Sequence, residues 1–159
     1  MSMEKYNKIH FIGIGGISMS SLAEILKSKG KTITGSDGVA SNVTKALENI
    51  GIQVSIGQKA ENITPDTDLI VYTAAVREDN PELMAARASG IETVDRAALV
   101  GMMMLEYKFP LSVAGTHGKT TTSSLVTEIF LEAKANPTVS IGGILPSIKG
   151  NYKVGGEDY

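Results

Sequence analysis

Short apolar runs alternate with longer amphipathic runs over the first two thirds of the chain. Residues 8–13 form a largely apolar run that predicts a buried strand. Residues 17–28 place Leu22 and Leu26 on one face of a predicted helix, which ends before Gly30. The same alternation predicts further strands at residues 31–35, 52–56, 68–73 and 91–94, and further helices at residues 42–50, 80–89 and 97–107.

Strands that alternate with helices at this spacing indicate βαβ units and a parallel sheet. Five strands are complete by residue 94. We therefore expect an α/β fold with a Rossmann-like, doubly wound parallel sheet of five strands in the order 3-2-1-4-5, and we place this domain at residues 1–108. In such sheets ligands bind where the strand order reverses, beside the first and fourth strands.

A second unit is predicted after the five-stranded domain. Residues 109–114 are apolar and predict a strand, residues 123–133 predict a helix, and residues 138–141 predict a strand that ends at a Gly142-Gly143 turn. The remaining length is too short for a nucleotide-hydrolysing domain. We therefore interpret residues 109–159 as the incomplete N-terminal part of an ATP-binding domain, and the chain as a fragment of a longer protein.

The most specific motif is the phosphate loop, residues 115–122 (GTHGKTTT), between the predicted strand and helix of the second unit. Its glycines let backbone N–H groups point at an anion, and the following helix adds the positive end of its dipole. We expect Lys119 to reach the β- and γ-phosphates of ATP and the Thr120 hydroxyl to bind Mg²⁺. Val113 stands where the longer motif has glycine, and a glycine-containing helix cap is the alternative. The predicted ATP-binding residues are Gly115, Thr116, His117, Gly118, Lys119, Thr120 and Thr121.

A first glycine loop, residues 13–16 (GIGG), lies between the first strand and the first helix. Its glycines permit a pyrophosphate to approach a helix N-terminus, although Ser18 replaces the third glycine of the dinucleotide-binding pattern. Asp37, at the end of the second strand, is suited to accept a hydrogen bond from a ribose hydroxyl. The alternatives are a tight turn without ligand, a turn or capping role for Asp37, and ordinary packing of residues 73–75. The predicted substrate-binding residues are Gly13, Ile14, Gly15, Gly16, Ser18, Met19, Ser36, Asp37, Thr73, Ala74 and Ala75.

The composition does not favour a nucleic-acid or membrane partner. The formal net charge is −2, 20% of the residues are charged, and no apolar run reaches transmembrane length. Cysteine is absent, and the first residues lack the apolar segment of a signal peptide. We therefore expect a cytoplasmic protein.

Four segments together resemble the Mur ligases: IHFIGIGGISMSSLAEIL from residue 9, GSD at residues 35–37, TAAV and DNPE within residues 73–82, and VAGTHGKTTT at residues 113–122. The resemblance runs along essentially the whole chain but corresponds to the first third of the family's length. It implies a UDP-sugar-binding domain followed by the start of an ATPase domain. It also implies a ligase of peptidoglycan precursor synthesis, in which ATP and Mg²⁺ activate the carboxylate of UDP-N-acetylmuramate as an acyl phosphate that L-alanine attacks.

The resemblance implies catalytic roles for three residues of the phosphate loop. Lys119 would stabilise charge on the transferred phosphoryl group, and Thr120 would hold Mg²⁺. His117 would contact a phosphate or the sugar-side substrate, or else only shape the loop, and it favours the family member that adds L-alanine. The fragment alone is expected to bind the UDP-sugar weakly and to lack ligase activity, and its uncovered strand edges favour a dimer.

Three alternatives remain open. The first is the ligase of the same family that recycles murein tripeptide. The second is an NAD-binding oxidoreductase domain, favoured by the first glycine loop but not by the phosphate loop. The third is a P-loop regulatory ATPase or GTPase. Outside the two loops, His10 is predicted to be a bonded core residue, Met102–Met104 to be helix core, and Arg77 and Arg96 to be phosphate contacts or surface residues.

Overall fold

The computed structural model describes residues 3–159 and contains a central sheet of five parallel strands. The observed order, β3-β2-β1-β4-β5, confirms the predicted order. Strand β1 pairs with both β2 and β4, so the order reverses between β1 and β4. The strands are β1 (Lys8–Ile12), β2 (Thr32–Asp37), β3 (Gln53–Ile56), β4 (Leu69–Tyr72) and β5 (Glu92–Asp95).

Helices connect β1 to β2, β2 to β3 and β4 to β5, whereas β3 leads to β4 through a short 3₁₀ turn. Short polar side chains define where three of the helices begin. Ser41 and Thr44 form a reciprocal capping box at α2, Asn80 caps α3, and Asp95 caps α4. In contrast, α1 and α5 begin without a hydrogen bond from a capping side chain. The helices are α1 (Ile17–Ser28), α2 (Asn42–Asn49), α3 (Pro81–Ala88), α4 (Arg96–Met104) and α5 (Lys119–Glu132).

Alternate residues of β1 face the two layers of the core. Ile9 and Phe11 belong to the larger buried cluster, whereas Ile12 packs with Leu83 of α3 in the smaller one. His10 is also buried and has hydrogen-bond partners on both ring nitrogens, which confirms its prediction as a bonded core residue. The sheet is therefore covered on both faces, as a parallel sheet requires.

The chain after α4 forms a helix and an antiparallel strand pair. Strand β6 (Val139–Leu145) pairs with β7 (Gly150–Lys153). The predicted strand at residues 109–114 is wrong, because a strand needs a continuous ladder with a neighbour. The N–H groups of Lys108 and Phe109 donate to carbonyls of residues near the C-terminal end, and no ladder continues from them in the part of the chain that the structure describes.

The predicted turn at Gly142-Gly143 is also wrong. Both glycines lie inside β6, and the chain reverses instead through a short 3₁₀ turn at Pro146–Ile148. Because glycine has no side chain, α5 can pack closely against this part of β6. A Cβ atom at Gly143 would lie only 3.0 Å from Cγ2 of Thr120. The glycine pair therefore serves packing between β6 and the start of α5.

The β6–β7 pair lies against α1. The side-chain amide of Asn151 donates to the carbonyl oxygen of Ile17 at 3.2 Å, and Tyr152 packs on the larger core cluster. The second unit therefore contacts the helix that follows the first glycine loop. No helix within residues 3–159 has the length and apolar character needed to span a lipid bilayer.

Candidate functional site

The first glycine loop is held at the carboxyl end of β1 by β2. The N–H groups of Gly13 and Ile14 both donate to the carbonyl oxygen of Ser36 at 2.9 Å. The φ of Gly13 is 82°, in the left-handed region that favours glycine. Because Gly16, the N-cap residue of α1, has no side chain to cap the helix, the first turn of α1 can offer backbone N–H groups and a positive dipole end to an anion.

Asp37 joins this loop to the end of β2. Its Oδ2 accepts a hydrogen bond of 2.8 Å from the N–H of Gly15, and its Oδ1 accepts one of 3.2 Å from the N–H of Val39. A Cβ atom at Gly15 would lie 2.7 Å from Asp37 Oδ2, so only glycine allows this approach. Asp37 thus shapes the turn, while each carboxylate oxygen keeps lone pairs for a further donor.

A cavity of about 720 Å³ opens between the first glycine loop and the start of α3. Small-molecule sites have volumes of roughly 300–1,000 Å³. The predicted substrate-binding residues that line it are Gly13, Gly15, Gly16, Asp37, Thr73 and Ala75. Arg77, named above as a phosphate contact or a surface residue, also lines the cavity. The lining residues that the sequence analysis did not predict as ligand contacts are Val39, Ser41, Gln58, Val76, Asp79, Asn80 and Pro81.

The other predicted substrate-binding residues, Ile14, Ser18, Met19, Ser36 and Ala74, lie outside this lining. The side chains of Ile14 and Met19 are buried in the larger core cluster, so only their backbones are near the loop surface. Ser18 Oγ accepts a 3.3 Å hydrogen bond from Arg96, and Ser36 is fully buried.

Asn80 and Gln58 form the most specific polar contact of the cavity that sequence reasoning missed. The side-chain amide of Asn80 donates to Gln58 Oε1 at 2.7 Å, and its Oδ1 accepts from the N–H groups of Glu82 and Leu83. Asn80-Pro81 was placed at the start of a helix and within the DNPE segment of the family resemblance, but no contact with Gln58 was predicted. Nearby, exposed Arg77 pairs with Asp79 at 2.9 Å, which agrees with its salt-bridged surface alternative.

The phosphate loop leads into the start of α5 through two glycines in the left-handed region. Gly115 and Gly118 have φ values of 154° and 75°, and Gly118 precedes the helix without a side-chain cap. The Nζ of Lys119 donates to the carbonyl oxygens of Gly115 and Thr116 at 2.6 and 3.2 Å. The lysine side chain therefore folds back over its own loop.

The residues of the phosphate loop fit a magnesium nucleotide. The Thr120 hydroxyl lies in the first turn of α5, and His117 is exposed. Within residues 3–159 no three His, Asp or Glu side chains form a metal cluster. Thr120 would therefore hold Mg²⁺ only together with phosphate oxygens and water, which is the usual coordination of this ion at nucleotide sites.

The comparison with known families separates the ligase interpretations from the other two alternatives. The profile of the Mur ligase family, catalytic domain, matches residues 8–108. The chain belongs to the Mur ligase family. This membership favours the ligase interpretation over the oxidoreductase and regulatory P-loop interpretations.

Mur ligases of known specificity resemble the chain over nearly its whole length. The UDP-N-acetylmuramate–L-alanine ligase of Agathobacter rectalis is 58% identical over 95% of this chain, which covers 33% of that protein. The corresponding ligase of Acetivibrio thermocellus is 53% identical over 98% of this chain, which covers 33% of that protein. The chain therefore spans about a third of the length of the curated relatives it matches.

Solved Mur ligase structures share the fold. The crystal structure of the UDP-N-acetylmuramate–alanine ligase from Thermotoga maritima matches with a TM-score of 0.84 and 38% identity, over 95% of this chain and 35% of that one. A murein peptide ligase from Psychrobacter arcticus matches with a TM-score of 0.83 and 27% identity, over 96% of this chain and 34% of that one. The L-alanine ligases named above are more similar to this chain in sequence than this peptide ligase.

Proposed function

We propose that this chain supplies the nucleotide-sugar site and the phosphate loop of an ATP-dependent ligase, which joins L-alanine to the carboxylate of UDP-N-acetylmuramate in peptidoglycan precursor synthesis. The observation that carries the proposal is the uncapped start of α1, which opens with its glycine loop and Asp37 into a cavity of about 720 Å³. The 58% identity to a ligase named for this substrate pair supports the choice of substrates.

The diphosphate of the nucleotide sugar is proposed to bind at the first glycine loop. The backbone N–H groups that begin α1 have no capping side chain and can donate to phosphate oxygens. Asp37 faces the same cavity and is proposed to accept a hydrogen bond from a ribose hydroxyl. Binding of this remote part of the substrate would position the reacting carboxylate and reduce the entropic cost of reaction.

The phosphate loop is proposed to bind ATP with Mg²⁺. When bound, the nucleotide supplies the phosphoryl group that converts a carboxylate oxygen into a good leaving group. The ammonium group of Lys119 would exchange its contacts with Gly115 and Thr116 for contacts with phosphate oxygens. Thr120 would bind the metal through its hydroxyl, and the first N–H groups of α5 would donate to phosphate.

We further propose residues 1–108 as the UDP-sugar-binding domain and residues 109–159 as part of the ATP-binding domain. Because the chain spans about a third of its relatives' length, we expect it to bind the nucleotide sugar without turnover. The absence of cysteine agrees with a cytoplasmic location. Exposed apolar side chains of the second unit support self-association of the chain, which light scattering would detect: Phe109, Leu111, Leu125 and Ile129.

Calorimetric titration of the 159-residue chain with UDP-N-acetylmuramate tests the proposal. UDP-N-acetylglucosamine and NAD serve as controls for the sugar and for the dinucleotide alternative. We expect saturable binding of UDP-N-acetylmuramate and a marked loss of affinity in the Gly15→Ala variant. Tighter binding of NAD than of either UDP-sugar would refute the assignment.

A further inference from the structure

A buried chain of polar side chains lies beneath the nucleotide-sugar cavity. Nδ1 of His10 lies 2.8 Å from Oγ1 of Thr34, and Nε2 of His10 lies 2.8 Å from Oε1 of Glu82. Ser36 then donates from Oγ to the other oxygen, Oε2, of Glu82 at 2.6 Å. The chain therefore connects β1, β2 and the first turn of α3.

Glu82 is the centre of this network. Its exposed fraction is 0%, that of Ser36 is 0%, and that of His10 is 3%. A buried carboxyl group is costly unless its oxygens have hydrogen-bond partners, and here both oxygens have one. Consequently α3 cannot shift along the sheet without leaving a buried polar group unsatisfied.

The same glutamate determines where one side of the cavity lies. Its backbone N–H donates to Oδ1 of Asn80 at 3.0 Å, and Asn80 donates in turn to Gln58 at 2.7 Å. Pro81, between Asn80 and Glu82, also lines the cavity. The position of Glu82 therefore fixes residues 80–81 through both its backbone and its side chain.

Ser36 carries the connection to the opposite side of the cavity. Its carbonyl oxygen accepts the N–H groups of Gly13 and Ile14 at 2.9 Å, and its neighbour Asp37 accepts from Gly15. One residue thus bonds to Glu82 with its side chain and to the first glycine loop with its backbone. Hydrogen bonds from both sides of the cavity therefore lead to Glu82.

We propose that Glu82 is a positioning residue of the nucleotide-sugar site, which holds residues 80–81 at a fixed distance from the first glycine loop and Asp37. Glu82 is fully buried and is not among the residues that line the cavity, so it would not touch a ligand bound there. It acts through Ser36 on one side and through Asn80 on the other. The identity of the ligand in this inference rests on the proposed function, whereas the role of Glu82 in fixing the cavity residues does not.

Variants of α3 distinguish an effect on the position of the cavity residues from a general loss of stability. Glu82→Ala leaves Ser36 and His10 without their partner, and we expect affinity for UDP-N-acetylmuramate to fall about tenfold or more. Glu82→Gln keeps both hydrogen bonds, because the Ser36 hydroxyl and the His10 ring can each donate or accept, and we expect affinity within about threefold of the wild type. Leu83→Ala, a fully buried neighbour that packs in the smaller cluster, is the matched control for loss of stability.

Two measurements are made on the 159-residue chain: calorimetric affinity for UDP-N-acetylmuramate, and NMR of the ligand-free protein. In the NMR spectra, resonances of the Gly15 amide and the Asn80 side-chain amide should move in Glu82→Ala and remain in place in Leu83→Ala. Equal loss of affinity in the two variants, with these resonances unchanged, overturns the inference.

The ligand-free spectra keep the inference testable if the proposed function fails. Should the wild type not bind the nucleotide sugar, movement of the Gly15 and Asn80 resonances in Glu82→Ala still supports positioning, and unchanged resonances still overturn it. Should Glu82→Ala not fold, Ser36→Ala takes its place, because it removes only one hydroxyl from the network. Movement of the Gly15 and Asn80 resonances in Ser36→Ala, with a loss of affinity, then supports positioning, and unchanged resonances overturn it.

Discussion

The phenolic hydroxyl of Tyr152 donates a hydrogen bond of 2.5 Å to Oε2 of Glu24, and so joins β7 to the middle of α1. Strand β6, the partner of β7, carries Gly143 against Thr120 at the start of α5. The strand pair therefore contacts both helices whose N-termini form the two candidate phosphate sites. This single hydrogen bond is the clearest polar link between the second unit and the first.

Replacing Tyr152 with phenylalanine tests the strength of this link. The substitution removes one hydrogen bond to a partly buried carboxylate while keeping the ring, and we expect the free energy of unfolding to fall by about 1–2 kcal/mol. Urea unfolding followed by circular dichroism measures the change. Tyr107→Phe is a matched control, because Tyr107 Oη is buried and has no hydrogen-bond partner among residues 3–159, so its removal should not lower the free energy of unfolding. Equal losses in the two variants would contradict the assignment.

The same tyrosine makes stability depend on pH in the alkaline range. Burial and the hydrogen bond to Glu24 raise the pKa of Tyr152 to about 12, from an ordinary value near 10. The folded state then binds the proton more tightly than the unfolded state. The contribution of Tyr152 is therefore complete below about pH 10 and is lost as pH rises towards about 12. We expect the stability difference between the wild type and Tyr152→Phe to shrink over this interval in alkaline unfolding titrations, and a constant difference would argue against it.

The parallel sheet could be predicted because the burial of its central strands is visible in their own short stretches of sequence. Residues 8–13 and 68–73 are short, largely apolar runs, which is typical of strands covered on both faces. The β6–β7 pair offered no comparable pattern. Its two central glycines resemble a turn, and their packing against Thr120 depends on a helix that begins more than twenty residues earlier.

The candidate site was predictable only where its chemistry is local. Gly13, Gly15 and Asp37 were identified because glycine conformation and an acidic strand end are visible in the sequence. Gln58 and Asn80 were missed because their contact joins residues 22 positions apart and depends on tertiary structure. Ser36 was predicted as a ligand contact, but strand alternation turns its side chain away from that of Asp37, towards the buried Glu82.

Gly15→Ala tests the requirement for close approach at the first glycine loop. The added Cβ would lie 2.7 Å from Asp37 Oδ2 and 3.2 Å from Cγ2 of Thr44, so Asp37 or the loop must move. We expect a loss of about 1–3 kcal/mol in unfolding free energy and a loss of affinity for the UDP-sugar. Gly101→Ala in α4 is the control, because a Cβ there meets no atom within 4 Å.

Thermal unfolding and calorimetric titration of both glycine variants provide the measurement. Gly101→Ala should gain about 0.4–1 kcal/mol, since alanine reduces the entropy of the unfolded chain and favours the helix. Its affinity for UDP-N-acetylmuramate should match the wild type. If Gly15→Ala were as stable as Gly101→Ala and bound equally well, the contact between Gly15 and Asp37 would have no role in the site.

Lys119→Met tests the phosphate loop while keeping the length of the side chain. The Nζ of Lys119 is exposed and donates only to carbonyls of its own loop, so its loss should change the unfolding free energy by less than about 1 kcal/mol. A charge-assisted contact to phosphate would be lost as well, and we expect affinity for MgATP, measured by NMR titration of the loop amides, to fall about tenfold. Lys45→Met on the exposed side of α2 removes the same charge elsewhere and should bind as the wild type does. Because each variant removes one positive charge from a chain of net charge −2, a common loss of affinity would indicate nonspecific attraction. Only a loss confined to Lys119→Met identifies the loop as the phosphate site.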